Sequence, residues 1–227
     1  MARTHRFPRE DGTVVEVVIT ERADGDFHID SEGVADRRAN VMPGPWAVVR
    51  QVHGATVAEA DPATAPEADA VITETTGQPI AVQGADCAPV AFIGAVGSIA
   101  VAHVGWRGLE AGVIDHTIEA LTKRGTPPTT VFVGPMIGPE CYEFGADDLE
   151  RLADTIGPSV RSTTSSGTPA LDVAAGIRTV LEERYGIDDV RMVGSCTACA
   201  DGGWSHRARQ ETQRHALAAR IVGADDA

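Results

Sequence analysis

The sequence predicts an α/β fold in which a mixed β-sheet is covered by helices. Three observations point there. Short apolar runs alternate with amphipathic helical stretches along the chain. Between Trp46 and Ala102 several strand-like runs follow one another with no helix between them, which argues against a pure βαβ alternation. The stretch His103-Val104-Gly105-Trp106-Arg107-Gly108 puts polar side chains where an apolar strand gives way to a helix. That junction is where α/β proteins tend to place their chemistry.

Each element has its own signal. Thr13–Thr20 carries Val14, Val15, Val17, Val18 and Ile19 and reads as a strand bounded by Asp11-Gly12. Residues 23–40 are polar and turn-rich, hence loop. Trp46–Arg50 reads as a short strand that delivers Gln51 and His53 at its end, and Asp61–Glu67, with Pro62 and Pro66, as a surface loop. Ala70–Thr73 and Ile80–Gln83 are short strands separated by Gly77 and Pro79. Val90–Ile93 and Ile99–Ala102 are adjacent buried strands turning around Gly94 and Gly97.

The clearest helix covers Leu109–Leu121. Leu109, Val113, Thr117 and Leu121 form a stripe widened by Ile114 and Ile118, and Lys123, Arg124, Gly125 and Pro127 close it. Val131–Val133 is a strand that runs into a segment too rich in Gly and Pro to continue. Helices are expected over Ala146–Ile156 and Leu171–Tyr185, with a Ser/Thr-rich loop at Arg161–Thr168 between them. Val190–Val193 is a strand leading to Cys196. Arg207–Val222 starts as helix or loop and ends in a closing strand, Ala216–Val222. No internal repeat or low-complexity linker divides residues 1–227, and the length fits one large domain or two small ones.

Composition narrows the function. At 227 residues and 43% hydrophobic content the chain can bury a core unaided. Aromatics are 4%, few for stacking a nucleic-acid strand, and a net charge of -14 opposes polyanions and anionic membranes. A nucleic-acid or membrane partner is therefore not expected. A small phosphorylated ligand is still open to a local arginine cluster. Met1–Glu10 has Arg3, Arg6 and Arg9 but no apolar core of a secretory signal. With four cysteines, Cys87, Cys141, Cys196 and Cys199, a cytoplasmic protein with reduced thiols is expected. The pattern carries no signal for a particular oligomeric state.

Two imidazoles and one thiol stand out. His53, Cys87 and His103 each lie among Gly, Asp or Pro at a predicted strand end. A catalytic zinc takes three protein ligands of this kind and keeps a fourth position open. The plainer reading makes Cys87 a small buried hydrophobe and the histidines surface residues. Asp86 either orients a histidine or caps a turn. Arg107, beside Gly105 and Gly108 at a helix start, suits an oxyanion or an ordinary ion pair. Cys196 and Cys199 form a CxxC without the second pair of a zinc ribbon and without the helix of a redox motif, so two buried thiols are expected. Trp204-Ser205-His206-Arg207 reads as a pocket wall or an exposed loop.

The segments QVHG (Gln51–Gly54), ADAVIT (Ala68–Thr73), GADCAPV (Gly84–Val90), AVAHVGWRG (Ala100–Gly108), VGPMIGPECYEFG (Val133–Gly145), Cys196-Thr197 and WSHR (Trp204–Arg207) occur in this order over most of the chain. Together they resemble the YfiH family, also called the laccase-domain or multicopper polyphenol oxidase family. The resemblance implies a single α/β domain with mixed sheets sandwiched by helices in an αββα arrangement. It implies zinc held by His53, Cys87 and His103. It also implies phosphorolysis of purine nucleosides (adenosine, inosine, guanosine, methylthioadenosine) and adenosine deamination. Val104 stands where the family usually has Ala. The usual Asn-Arg pair before QVHG is replaced, with Arg37 or Arg38 as its stand-in, and the C-terminal Arg-Gly segment is altered to Gln213-Arg214-His215.

On this reading Cys87, His103 and Arg107 are catalytic, and Gln51, Arg38 and Arg207 bind substrate. Phosphate and a purine nucleoside are the partners, and the arginines grip phosphate through charged hydrogen bonds. One rival is a copper-dependent polyphenol oxidase. The chain has seven histidines, no His-x-His pair, and Met136 as the one axial candidate near a motif. The other rival is a cysteine-dependent amide hydrolase with Cys87 as nucleophile and His103 as base. A non-enzymatic zinc-binding module is the third alternative.

Overall fold

Side chains alternate across a strand, so runs that are apolar on both faces need cover on both sides. Here the cover for one sheet is a second sheet. The computed structural model describes residues 1–223. The elements are β1 (Arg3–Pro8), β2 (Val14–Ile19), α1 (Val34–Val41), β3 (Ala47–Val48), β4 (Val57–Glu59), β5 (Ala70–Thr73), β6 (Ile80–Gly84), β7 (Ala88–Gly94), β8 (Ile99–Val104), α2 (Trp106–Glu110), α3 (Val113–Lys123), β9 (Pro128–Val133), α4 (Ala146–Ile156), β10 (Arg161–Thr163), β11 (Pro169–Leu171), α5 (Val173–Thr179), β12 (Asp189–Met192), α6 (His206–Arg209) and β13 (His215–Val222).

They build a five-stranded sheet in the order β1-β2-β13-β6-β3 and a six-stranded sheet in the order β12-β9-β7-β8-β5-β4. Both are mixed: β3–β6, β4–β5 and β9–β12 pair in parallel, the other pairs antiparallel. Val15, Val17, Ile19, Val82 and Leu217 of one sheet pack against Val71, Ala91, Val101 and Phe132 of the other. The opposite face of the six-stranded sheet, with Ile72, Val90, Phe92 and Val131, is covered by Leu109, Val113, Ile118, Leu152 and Ile177 from α2 to α5. Val18, Ala81 and Ala218 on the outer face of the five-stranded sheet lie under Phe27, Met42 and Trp46. The order of layers is therefore helices, sheet, sheet and a thin outer cap, in line with the expected mixed α/β sandwich.

Several elements differ from the sequence expectation. β1 pairs with β2 along its length, Arg3 opposite Ile19 and Pro8 opposite Val14. It is an edge strand, and its arginines on exposed positions hid the alternation. α1 overlaps the expected loop 23–40, running one residue past it, and buries no residue completely, so no apolar stripe announced it. The helix expected over Leu109–Leu121 is two, α2 and α3, because Gly112 adopts φ +82° between them. Residues 161–171 form the hairpin β10–β11 rather than a plain loop. α5 continues as a π-helical turn over Val180–Arg184. The closing strand is β13, which sits between β2 and β6 inside its sheet.

Register places the site. β7 and β8 are antiparallel, with Ala88 opposite Val104 and Pro89 opposite His103. Cys87, just before β7, and His103, near the end of β8, therefore share one end of the sheet. β5 starts at the same end, with Ala70 opposite Ala102, which brings Asp69 beside His103. Among the described residues no helix is long and apolar enough to cross a membrane.

Phe92 is fully buried between the six-stranded sheet and its helices. Phe92→Ala is expected to lower unfolding free energy by about 3–5 kcal/mol in urea titration. Val96→Ala, at a position 38% exposed in the β7–β8 turn, is expected to stay within about 0.5 kcal/mol.

Candidate metal and ligand site

A buried carboxylate organises this end of the sheet. Asp69 is fully buried. Its side chain accepts the main-chain N–H groups of Val52 (3.2 Å), His53 (2.9 Å) and Gly54 (2.7 Å). It also accepts from His103 Nδ1 at 2.9 Å. The Asp69 carbonyl takes the His103 N–H at 2.7 Å. One residue thus folds the Val52–Gly54 loop inward and fixes the His103 ring. With Nδ1 committed to the carboxylate, His103 offers Nε2 as its remaining nitrogen. The loop conformation has a cost: His53 has φ +61° and, across the cleft, Asp86 has φ +97°. Non-glycine residues in that region are held there by their surroundings at about 1–3 kcal/mol each.

His53, Cys87 and His103 converge. One ligand atom from each lies within 4.8 Å of the others, and the two imidazoles meet nearly edge to face with centroids 4.8 Å apart. His53 is exposed, Cys87 half-buried and His103 buried, so the group opens to solvent on one side. Gly105 closes the other side. A Cβ there would stand 2.8 Å from Cys87 Sγ and 3.2 Å from His53 Cδ2, so only glycine lets the start of α2 approach.

The electrostatics are those of an ion pair. Burial alone pushes the Cys87 thiol up, but the His103 and His53 rings outweigh it and hold it below the usual thiol range. Burial pushes His103 down, and Cys87 and Asp69 outweigh it, so its imidazolium persists above the usual histidine range. Asp69 is likewise held below the ordinary carboxylate range: burial opposes ionisation, and the His103 hydrogen bond and the N–H groups overcome it. Its stabilising contribution is present at neutral pH and is lost as pH falls through that lowered value.

The trio lies in a cleft of about 510 Å³, within the usual span of small-molecule sites. Trp106 and Tyr142 are the aromatic residues of its wall besides histidines, and Arg50, Arg107, Arg207 and Arg214 supply charge. Arg107 sits 4.5 Å over the Trp106 ring and Arg207 4.9 Å over Tyr142. Arg50 is held by Asp30 at 3.0 and 3.1 Å. Among the described residues Arg107 has no ion pair. Burial pushes the Tyr142 hydroxyl up to about 12, so it stays a neutral donor.

The expected residues divide into those at the cleft and those elsewhere. His53, Cys87, His103, Arg107, Arg207, His206 and Gln51 line it. Gln51, however, has both ends of its amide engaged: Nε2 donates to the Gln83 carbonyl at 2.7 Å and Oε1 accepts the Gln83 N–H at 2.8 Å. Its side chain extends β6 rather than waiting for a ligand. Arg38 does not reach the cleft. It lies on α1 over the Trp46 ring at 5.8 Å and lines a separate small pocket. Arg37 is tied to the Asp26 and Glu32 carbonyls and Ser31. Neither arginine is among the residues that line this cleft. Asp86 does not orient a histidine of the trio. It accepts from Thr197 Oγ1 at 2.7 Å and from the Arg207 N–H at 2.6 Å, which fastens the start of α6 to the cleft. Met136 and Trp204 are absent from the lining. Cys196 is half-buried and Cys199 exposed, which corrects the expectation of two buried thiols.

Sequence reasoning missed Asp69, Tyr142, Arg50 and Arg214. Asp69 had a signal, being the one charged residue in the otherwise apolar run Ala68–Thr73. Tyr142 and Arg214 lie within segments already singled out, and Arg50 directly precedes Gln51, but only tertiary packing shows that they reach the cleft.

Comparison with known proteins places the chain in a family. Residues 30–222 match the family described as multi-copper polyphenol oxidoreductase laccase, and the chain belongs to that family. A Streptomyces coelicolor protein named purine nucleoside phosphorylase is 34% identical over 188 residues, covering 80% of this chain and 77% of its own. The Geobacillus stearothermophilus purine nucleoside phosphorylase YlmD is 31% identical over 194 residues, 76% of this chain and 70% of its own. Among solved structures, a Neisseria meningitidis protein superposes with a TM-score of 0.84 at 28% identity, covering 98% of this chain and 99% of that one. YlmD superposes at 0.79 and 24% identity, covering 93% and 92%, which speaks to fold alone.

The ion pair is measurable in metal-free protein. Alkylation of Cys87 by iodoacetamide, followed by peptide mass spectrometry against pH, is expected to show a midpoint below the ordinary thiol value of about 8.5. A midpoint at or above that value would show that the imidazoles do not activate the thiol.

Proposed function

We propose that the chain is a zinc-dependent purine nucleoside phosphorylase. The observation that carries this reading is the juxtaposition in one open cleft of the His53–Cys87–His103 trio, two aromatic rings and an unpaired guanidinium at Arg107. The names of the relatives at 31–35% identity support it.

The trio fits zinc by its donor set, two imidazoles and one thiolate, and by the space that Gly105 leaves beside them. Bound there, zinc would supply Lewis-acid charge to a ligand in the cleft. Asp69 holds His103 in the tautomer that a metal ligand needs. The Trp106 and Tyr142 rings, each with a guanidinium over it, line the cleft where a purine would sit. Arg107 and Arg207 bind phosphate from the cleft wall. The phosphate oxygen bonds to the anomeric carbon as the bond to the purine nitrogen breaks. The electron pair goes to the base, which takes up a proton and leaves. The sugar carries oxocarbenium character in between, as in other glycosyl transfers. The neutral Tyr142 hydroxyl offers a hydrogen bond to the departing base.

A second reading has its own observation. Asp69, His103 and Cys87 line up as acid, base and thiol, the order of a cysteine hydrolase. Copper oxidation of phenols gains less. The His53–Cys87–His103 group has two histidines, and Met136 does not line its cleft.

Purified protein incubated with adenosine is expected to release adenine only when phosphate is present. Cys87→Ala should abolish both zinc content at this site and turnover. Hydrolysis of amides that survives chelators would instead favour the cysteine reading, and inosine formed without phosphate would mark deamination. Arg107→Ala is expected to raise the KM for phosphate by roughly 10–100-fold, the loss of a charged hydrogen bond worth about 1.5–3 kcal/mol. An unchanged KM would remove Arg107 from phosphate binding.

A further inference from the structure

A second group of soft ligands lies outside the cleft. β9 and β12 are parallel neighbours, with Val133 opposite Met192. Their C-terminal ends therefore point the same way and send their loops to one place. The loop after β9 carries Glu140 and Cys141 in a 3-10 turn, Pro139–Cys141. The loop after β12 carries Cys196-Thr197-Ala198-Cys199. The fold joins what the sequence separates: one ligand atom from each of Glu140, Cys141, Cys196 and Cys199 lies within 4.8 Å of all the others.

We propose that these four side chains form a second metal site, a closed Cys₃Glu centre for zinc. Three thiolates and one carboxylate complete a tetrahedron with no open position, the pattern of a structural rather than a catalytic site. Thiolate donors select zinc-like ions over magnesium or calcium. With Zn–S bonds of about 2.3 Å the edge of such a tetrahedron is about 3.8 Å, so the group needs only a small contraction. Cys196 and Cys199 have the C-x₂-C spacing of a zinc knuckle. The surroundings are shaped for it. The Gly138 N–H points at Cys196 Sγ at 3.2 Å, and the Glu140 carboxylate lies 3.6 Å from Cys199 Sγ. A Cβ at Gly138 would collide with the Glu140 carboxylate, so glycine there lets that side chain fold back toward the thiols. A disulfide would use two of the three sulfurs and give no role to the third or to Glu140.

The site reaches the cleft through Thr197, inside the knuckle. Thr197 Oγ1 donates to Asp86, the neighbour of Cys87, and Asp86 in turn accepts the Arg207 N–H. The Thr197 N–H bonds the Met136 carbonyl at 3.0 Å, and the Thr197 carbonyl accepts from Arg209 at 3.0 Å. A metal here pins the two loops that hold one wall of the cleft.

The test is metal stoichiometry on full-length protein made with zinc supplementation and purified under reducing, anaerobic conditions. Wild type is expected to hold two zinc ions per chain by elemental analysis. Cys87→Ala is expected to hold one, and Cys87→Ala combined with Cys199→Ala none. In the Cys87→Ala background, a chelator should lower the melting temperature, an effect lost with Cys199→Ala. If Cys87→Ala removes all zinc and its melting temperature ignores the chelator, the proposal is overturned. It is equally overturned if intact mass shows two hydrogens lost to a disulfide in the anaerobic protein. Because these readouts are taken without Cys87, they stand or fall apart from the catalytic reading.

Discussion

The Asp69 carboxylate is the constraint on which the rest of the site depends. A carboxylate removed from water is stable only if its lone pairs are filled. Here they are filled by three main-chain N–H groups of the Val52–Gly54 loop and by the His103 ring. Satisfying that one charge bends the loop, forces His53 into a left-handed conformation and turns His103 toward Cys87. Without it, the loop would have no reason to bring a histidine over the end of the sheet.

The sheets supply the rest of the geometry. Antiparallel pairing of β7 and β8 puts the residue before one strand next to the residue ending the other, so Cys87 and His103 meet although they lie far apart in sequence. Parallel pairing of β9 and β12 does the same for two cysteine-bearing loops. The chain's overall negative charge is compensated locally, because the cleft wall collects arginines whose carboxylate partners are few. An anionic substrate would therefore meet a local field opposite to the global one.

The legible parts of the fold were those with a local period. The buried strands, the face of α4 and the stripe of α3 could be read from apolar spacing, and the strand-to-helix junction at His103–Gly108 marked the site. β1 and α1 could not be read this way, because an exposed edge strand and a helix with no buried residue have no apolar period. Gly112 was passed over within an apparent helix because a single left-handed glycine interrupts the backbone without interrupting the stripe. At the site, the trio was visible as residue types at strand ends. The engagement of the Gln51 amide with β6, the distance of Arg38 from the cleft and the partnership of Cys141 with the CxxC all depend on strand pairing and packing. No spacing rule encodes those.

If the buried Asp69 carboxylate preassembles the His53–Cys87–His103 trio, removing its charge weakens zinc binding there. The most direct measurement is zinc affinity of Asp69→Asn by competition with a chromophoric chelator, in a Cys199→Ala background so that only the cleft site is read, with circular dichroism confirming the fold. The variant is expected to stay folded and to lose about 10–100-fold in affinity, the usual cost of losing a carboxylate behind a ligating histidine. A folded Asp69→Asn protein that binds zinc as tightly as its parent would contradict that role of Asp69.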